Sequence, residues 1–448
     1  MPVLSARPRR RPRRRARAVV GTLVAALSLG VSMAGSPARA DVVTPGNFTG
    51  YGFDQCTAPT QAAMNAWLTG SPYLAVGIYI SGDSRGCTSQ PNLTPRWVRM
   101  QAAHGWRLLP ITLGPQAWCT TRERYLHQVR ISPVRTGSYA RARAQGRAEA
   151  AKSIRAAQRL GIGARSTLWY DLEGFATSAT GCRESALSFL SAWSGQLHRQ
   201  RYVSGVYSSA ASGIRILDDA RVNRPGRFQL PDRVWIADWN GVANTASSYV
   251  RSSGWTRHQR VHQYRGGHHE TYGGVTIDID QNWVDLGRGS WLPREPVHCG
   301  GVSYNYARYP ALSVGDRGPT VRTVQCLLQA RGAWSGAVDG VYGDRLGAAV
   351  SAYRVDRGLA AGTSTTRRTW VALLSQGGGP VLKRGSASPA VRRVQRALNA
   401  ADGAALAVTG IVNPGTVGAV KRYQRSHGLP GTGVVAAPVW RRLLAGVA

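Results

Sequence analysis

The sequence predicts an α/β fold, a (β/α)8 TIM-like barrel followed by two small three-helix units. Three observations lead there. From about Gly50 to Gly287 short β-type runs alternate with helical patterns, and eight such units in about 240 residues suit a closed parallel barrel. Polar residues gather at the carboxyl ends of those runs, the ends that such a barrel brings to one mouth. Past Arg288 the texture changes, and two segments repeat each other at an offset of 70 residues without a gap.

In chain order the strand-like runs are Gly50–Asp54, Leu74–Ser81, Arg107–Leu113, Thr167–Glu173, Val203–Ser208, Val234–Trp239, Val261–Tyr264 and Val275–Asp280. Apolar spacing places helices at Thr60–Leu68, Thr94–His104, Tyr139–Leu160 and Arg183–Arg199, with shorter ones near Gly213–Ala220 and Thr245–Val250. In the repeats, Leu312, Gly315, Val321, Gln325 and Leu328 recur as Leu382, Gly385, Val391, Gln395 and Leu398. Gly340, Val350, Tyr353 and Trp370 recur as Gly410, Val420, Tyr423 and Trp440. Val321–Ala330, Leu346–Arg354 and a segment carrying the Trp read as three helices, and so do their counterparts. The expected division is an export signal at 1–40, the barrel at 41–288, a linker at 289–307, and repeats at 308–376 and 380–446.

The export signal rests on an arginine-rich start (Arg7 to Arg17), an apolar run from about Ala18 to Ala34, and the small-x-small site Ala38-Arg39-Ala40. That run is short for a stable membrane span, and no later segment replaces it. The formal charge is +35, and removing the signal deletes arginines and no acid, so the remainder stays strongly basic. Such a charge favours a polyanionic neighbour. For an exported chain that is an anionic wall polymer rather than nucleic acid. Six cysteines after an export signal read as disulfides. Cys299 and Cys326 stand apart and are expected to pair. Cys56, Cys87, Cys119 and Cys182 allow three pairings, and Cys56–Cys87 with Cys119–Cys182 joins neighbours along the chain.

The run Leu168-Trp169-Tyr170-Asp171-Leu172-Glu173-Gly174 carries the chemistry. On a strand, Asp171 and Glu173 point the same way. Two acids on one face repel unless one holds a proton, which suits general acid catalysis on a glycosidic bond. Glu173 is the expected acid. Asp171 is its ionised neighbour, orienting an N-acetyl group, and Asp54, Asp238 or Asp278 could hold a water instead. Tyr79, Gln116, Tyr207, Trp239, Gln263, Asp278 and Asp280 also sit at or past strand ends and are expected to touch substrate. Trp169 and Tyr264 join the aromatics that could stack on sugars. His262, His268, His269 and Glu270 match no strong ligand spacing, so neither a metal nor another cofactor is expected.

Two resemblances follow. The repeats resemble the peptidoglycan-binding domain of secreted wall enzymes. They do so through Leu312, Gly315, Val321, Val324, Gln325, Asp339–Gly343, Tyr353, Gly358-Leu359 and Thr369–Leu373. The second unit departs at Thr409–Asn413 and the first at Arg354. The barrel resembles a glycoside-hydrolase-like domain of secreted actinobacterial proteins, similar in fold to the family 25 lysozymes. The matching segments are Gly52–Cys56, Leu109–Gln116, Tyr170–Phe175, Gly205–Ser209, Trp235–Asn240, His262–Tyr264 and Ile277–Trp283. The resemblance implies a muramidase-like site carried by Asp171 and Glu173, with Asp54 and Asp238 completing it, and peptidoglycan or a related wall glycan as partner. A wall-binding scaffold whose barrel has lost turnover remains the alternative.

Overall fold

The computed structural model describes residues 41–256, 258–287, 295–377 and 379–448. The export signal and the first part of the linker lie outside the described residues. The barrel runs β1 (Thr49–Asp54), α1 (Gln61–Gly70), β2 (Ala75–Ser81), α2 (Pro95–Ala103), β3 (Arg107–Thr112), α3 (Glu123–Leu126), α4 (Thr136–Arg159), β4 (Thr167–Leu172), α5 (Thr180–Arg199), β5 (Val203–Ser209), α6 (Arg215–Asn223), β6 (Arg233–Ala237), β7 (Arg260–Tyr272) and β8 (Val275–Asp285). Its eight strands close in sequence order. Among the described residues no helix is long and apolar enough to cross a membrane.

The eighth strand departs from the parallel expectation. β1 to β7 run parallel, whereas β8 is antiparallel to both β7 and β1. The cause is the Gly273-Gly274 link, both residues at positive φ (58° and 77°). A two-residue link joins antiparallel neighbours, and a parallel crossover needs a dozen residues or more. The polar stretch His268–Tyr272 reads as loop, yet it pairs with Val275–Ile279. Thr245–Val250, expected as a helix, forms turns instead.

Strand alternation sorts the barrel's side chains. Trp169 and Trp235 fill the interior edge to face at 5.5 Å, and Trp235 Nε1 donates to Asn282 Oδ1 at 2.7 Å. Gly205 makes room for them, since a Cβ there would lie 2.4 Å from the Trp169 ring. Tyr170 points outward onto Phe189 and Trp193 of α5. On the β1–β8 side the β7–β8 hairpin packs on α1 and the start of β2. Trp67 Nε1 donates to the Val275 carbonyl, Tyr73 Oη donates to Glu270, and the Tyr272 ring meets Trp67 edge on. Disulfides Cys56–Cys87 and Cys119–Cys182 tie the loops above the strands, and Cys299–Cys326 ties the linker to the first helical unit.

The helical region holds α7 (Pro319–Gln329), α8 (Asp344–Asp356) and α9 (Arg367–Ser375), then α10 (Pro389–Asp402), α11 (Pro414–Ser426) and α12 (Ala437–Leu444). The repeated residues do the same work twice. Gln325 bonds the Val341 carbonyl and the Gly340 amide, and Gln395 bonds the Ile411 carbonyl and the Gly410 amide. Trp370 donates to Pro310, and Trp440 donates to Pro380. The departures from the repeat keep these clamps. Thr409 accepts from Gln395 where Asp339 accepts from Gln325, and Arg354 reaches the Ser364 carbonyl where Gln424 reaches that of Val434. Both units share one apolar core.

The second unit is pinned to the barrel by Lys383, which is 1% exposed. Its ammonium donates to the carbonyls of Trp67 (3.2 Å), Ser71 (3.1 Å) and Tyr73 (2.6 Å) and lies 5.0 Å from the centre of the Trp106 ring. The α1 carboxyl end carries the negative pole of that helix, so the cation is well placed. Burial nevertheless pushes the Lys383 pKa well below the usual lysine value, so the carbonyls must offset a large desolvation term. Lys383→Met keeps the stem and leaves three carbonyls without their donor. Guanidinium unfolding is expected to show a loss of about 2–4 kcal/mol, and limited proteolysis to cut the second unit faster.

Candidate active site

The mouth is assembled from the carboxyl ends of β1 to β6, from Gln263 near the start of β7 and from the middle of β8. Asp280 sits opposite Asp54 in the β1–β8 ladder, so the reversed strand still delivers its acid to the mouth. Asp278 lies one step further along the hairpin, exposed and opposite His269.

Asp54 is buried at the end of β1. Its Oδ1 accepts from Asn282 Nδ2 at 2.6 Å and from Gln263 Nε2 at 3.2 Å. Gly77 on β2 gives it room, because a Cβ there would come within 2.4 Å of the Asp54 Cβ. Gln263 ties the mouth together. Its amide nitrogen also donates to Asp280 Oδ2 at 3.2 Å, while its oxygen accepts from Tyr207 Oη at 3.0 Å and Trp239 Nε1 at 2.9 Å. Burial, then the Asp280 charge, push the Asp54 pKa up to about 8. Asp280 is also raised, first by burial and against the Gly267 amide that donates to it.

Asp171 faces inward from β4 and is 2% exposed. Tyr79 Oη donates to its Oδ2 at 3.2 Å, and its buried Oδ1 has no protein partner among the described residues. Burial first, then the Glu173 charge, raise its pKa well above the carboxylate range. Glu173, one residue past β4, is partly exposed. Its Oε2 pairs with Arg122 at 3.2 Å, and its Oε1 accepts from Tyr125 at 3.4 Å. The Cys119–Cys182 bridge holds the loop that brings Arg122 and Tyr125 there.

A cavity of about 350 Å³ opens over this cluster. Glu173, Arg122, Tyr207, Asp238 and Trp239 line it. Asp171 and Asp54 lie behind these, buried. Asp238 reaches the cavity from the β6–β7 loop, its carboxylate accepting from Ser247 at 3.0 Å. His262 fixes that loop, with one ring nitrogen 2.6 Å from the Asn244 carbonyl and the other 2.7 Å from that of Asp238. Trp239 is 66% exposed, an open ring face at the rim.

Several expected residues serve otherwise. Gln116 is buried with its amide on backbone: Nε2 donates to the Gly114 and Asp171 carbonyls, and Oε1 accepts from the Glu173 amide. It positions the two acids. Trp169 is fully buried beneath the site and cannot reach a sugar. Tyr264 alternates with inward-facing Gln263 and points out of the barrel. His268 pairs with Glu270, and among the described residues no three metal-ligating side chains come together. Sequence reasoning missed Asn282, although its i+2 spacing from Asp280 places it on the same face. It also missed Arg122 and Tyr125, for which an irregular loop gives no periodic signal.

A carboxyl raised in the native state keeps its proton where the unfolded chain has lost it. Its contribution is full below the unfolded value of 3.8 and is lost as pH rises through the native value of about 8. Urea unfolding of wild type should therefore lose stability between those limits, at up to about 1.4 kcal/mol per pH unit per retained proton. Asp54→Asn should flatten that slope by about one proton.

Residues 65–284 match the model of the Rv2525c-like, glycoside hydrolase-like domain, and residues 387–443 match that of the peptidoglycan binding domain. No curated protein matches the chain. Among solved structures, the chain is similar to the Tat-secreted protein Rv2525c of Mycobacterium tuberculosis, solved with L-tartrate (13% identity, 53% of this chain and 95% of that one, TM-score 0.35). It is also similar to the spore cortex lytic enzyme SleM of Clostridium perfringens (16% identity, 53% and 67%, TM-score 0.36). A third is the modular autolysin LytC of Streptococcus pneumoniae (11% identity, 52% and 46%, TM-score 0.32). The chain thus carries one stretch similar to a glycoside hydrolase-like domain and, after it, one similar to a peptidoglycan-binding domain.

Proposed function

We propose that this protein is an exported, wall-associated glycoside hydrolase of the muramidase type, acting on peptidoglycan or a related N-acetylated glycan. The observation that carries the reading is the pairing of a partly exposed Glu173 with a buried, proton-holding Asp171 on one strand face beneath an open cavity. Three disulfides suit an oxidising compartment, and the basic surface suits an anionic wall. Both helical units serve as wall anchors in this reading.

In the free site Arg122 pairs with Glu173, while burial favours the protonated form of Asp171. A bound sugar whose hydroxyls take over the Arg122 donors loosens that pair, and the proton passes to Glu173. Glu173 then gives it to the leaving glycosidic oxygen. Parallel side chains two residues apart do not face each other across a bond, so Asp171 is poorly placed as the nucleophile. From behind the cavity lining it instead orients the sugar's N-acetyl group, whose carbonyl oxygen attacks the anomeric carbon. Water then opens the cyclic intermediate and returns its proton to Glu173. Asp54, its pKa pushed up to about 8, spares the mouth a further charge at neutral pH. Asp238 and Trp239 hold the sugar from the rim.

Clearing of purified peptidoglycan with measurement of new reducing ends tests this. Glu173→Gln should lower the rate by about 10²–10⁴-fold with wall binding kept. Wild-type activity should persist through neutral pH and fall as pH rises past about 8, where Asp54 ionises and its charge joins the mouth. Wall binding without reducing ends at any pH from 4 to 9 would leave a binding scaffold as the function.

A further inference from the structure

A second cavity, of about 680 Å³, lies between the outside of the barrel and the second helical unit. It shares no lining residue with the mouth. Its barrel wall is aromatic: Tyr51, Tyr264, Tyr272 and Trp283 stand on β1, β7 and β8. Tyr51 and Trp283 meet edge to face at 5.0 Å, a rigid arrangement that needs no ordering on binding. The opposite wall comes from the second unit, with Arg384 beside Lys383 and Lys421 on α11. The Lys383 clamp therefore builds this cavity as well as fixing the unit.

Two chemical needs in it are unmet. Glu270 Oε1 takes donors from Tyr73, His268 and Gln281, while Oε2 is buried with no partner among the described residues. Across from it, Arg384 stacks on Trp283 at 5.5 Å, and among the described residues no carboxylate pairs with Arg384 or Lys421. An acceptor seeking a donor, two cations seeking an anion, and a set of ring faces describe one ligand class. Pyranose rings offer apolar faces and donating hydroxyls or amides, and an acidic sugar adds the anion. The volume lies in the range of pockets that enclose small ligands.

We propose that this cavity is a second glycan-binding site, for a strand of N-acetylated sugars bearing carboxylates. Neither the barrel nor the second helical unit carries it alone. The ring faces and Glu270 hold the sugar, and Lys421 with Arg384 reads its charge. The site is independent of turnover at the mouth, although the β6–β7 loop lines both, with Trp239 at one and Ala243 at the other.

The test uses the full chain carrying Glu173→Gln and labelled with ¹⁵N-tryptophan. The Trp283 indole reports the cavity and the Trp239 indole reports the mouth. Peptide-free glycan strands of alternating N-acetylglucosamine and N-acetylmuramic acid should shift Trp283 saturably. Lys421→Glu should weaken that response about ten-fold, Lys421→Arg should keep it, and the melting curves should coincide. Neutral chitotetraose should shift Trp283 more weakly than the acidic strands. A Trp283 signal that ignores the strands, that answers a free stem pentapeptide instead, or that is equally strong in Lys421→Glu would overturn the proposal. A silent Trp239 beside a responding Trp283 would count against the mouth reading alone.

Discussion

Crowding acidic side chains into one buried mouth is the constraint on which the rest of this structure turns. Taking a carboxylate out of water penalises its charged form, and a neighbouring carboxylate adds to that penalty, so retaining protons is the cheaper response. Burial first, and then a neighbouring charge, raise Asp54 and Asp171, whereas Glu173, nearer solvent, finds the Arg122 cation. The neutral donors Gln263, Asn282 and Tyr79 then serve protonated and ionised states alike. What results is a mouth in which burial favours the protonated form of Asp54 and Asp171.

The direction of β8 supports that arrangement. A parallel eighth strand would need a crossover helix over the β1 side. The antiparallel hairpin replaces the helix, places Asp280 and Asn282 against Asp54, and leaves its outer face aromatic. The second helical unit then packs below that face through Lys383. One topological change thus serves both the acid cluster and the wall on which the second cavity is built.

Much of this was legible in the sequence, for physical reasons that differ by element. Most of the parallel strands are short apolar runs with a polar side chain at or near the mouth end, and alternation sends Asp171 inward and Tyr170 outward. The repeats were legible because Gln325 and Gln395 make the same backbone clamp, which is kept where Thr409 stands for Asp339. The β7–β8 hairpin was not, because His268, His269 and Glu270 look like solvated loop. Their partners lie on the barrel's outer face, which no local pattern reveals. Arg122 was invisible for a similar reason: it reaches Glu173 through a loop set by a disulfide and by tertiary contacts. Gln116 was read as a substrate contact because position past a strand end does not tell how deep a side chain sits.

Titration of the mouth carboxyls followed by ¹³C NMR on aspartate- and glutamate-labelled protein reaches their protonation directly. The Asp54 carboxyl carbon should titrate at about 8, and that of Asp171 well above the ordinary aspartate value. If both carbons instead titrate below about 5, as ordinary exposed carboxyls do, the mouth holds no proton to give, and the acid chemistry assigned to it fails.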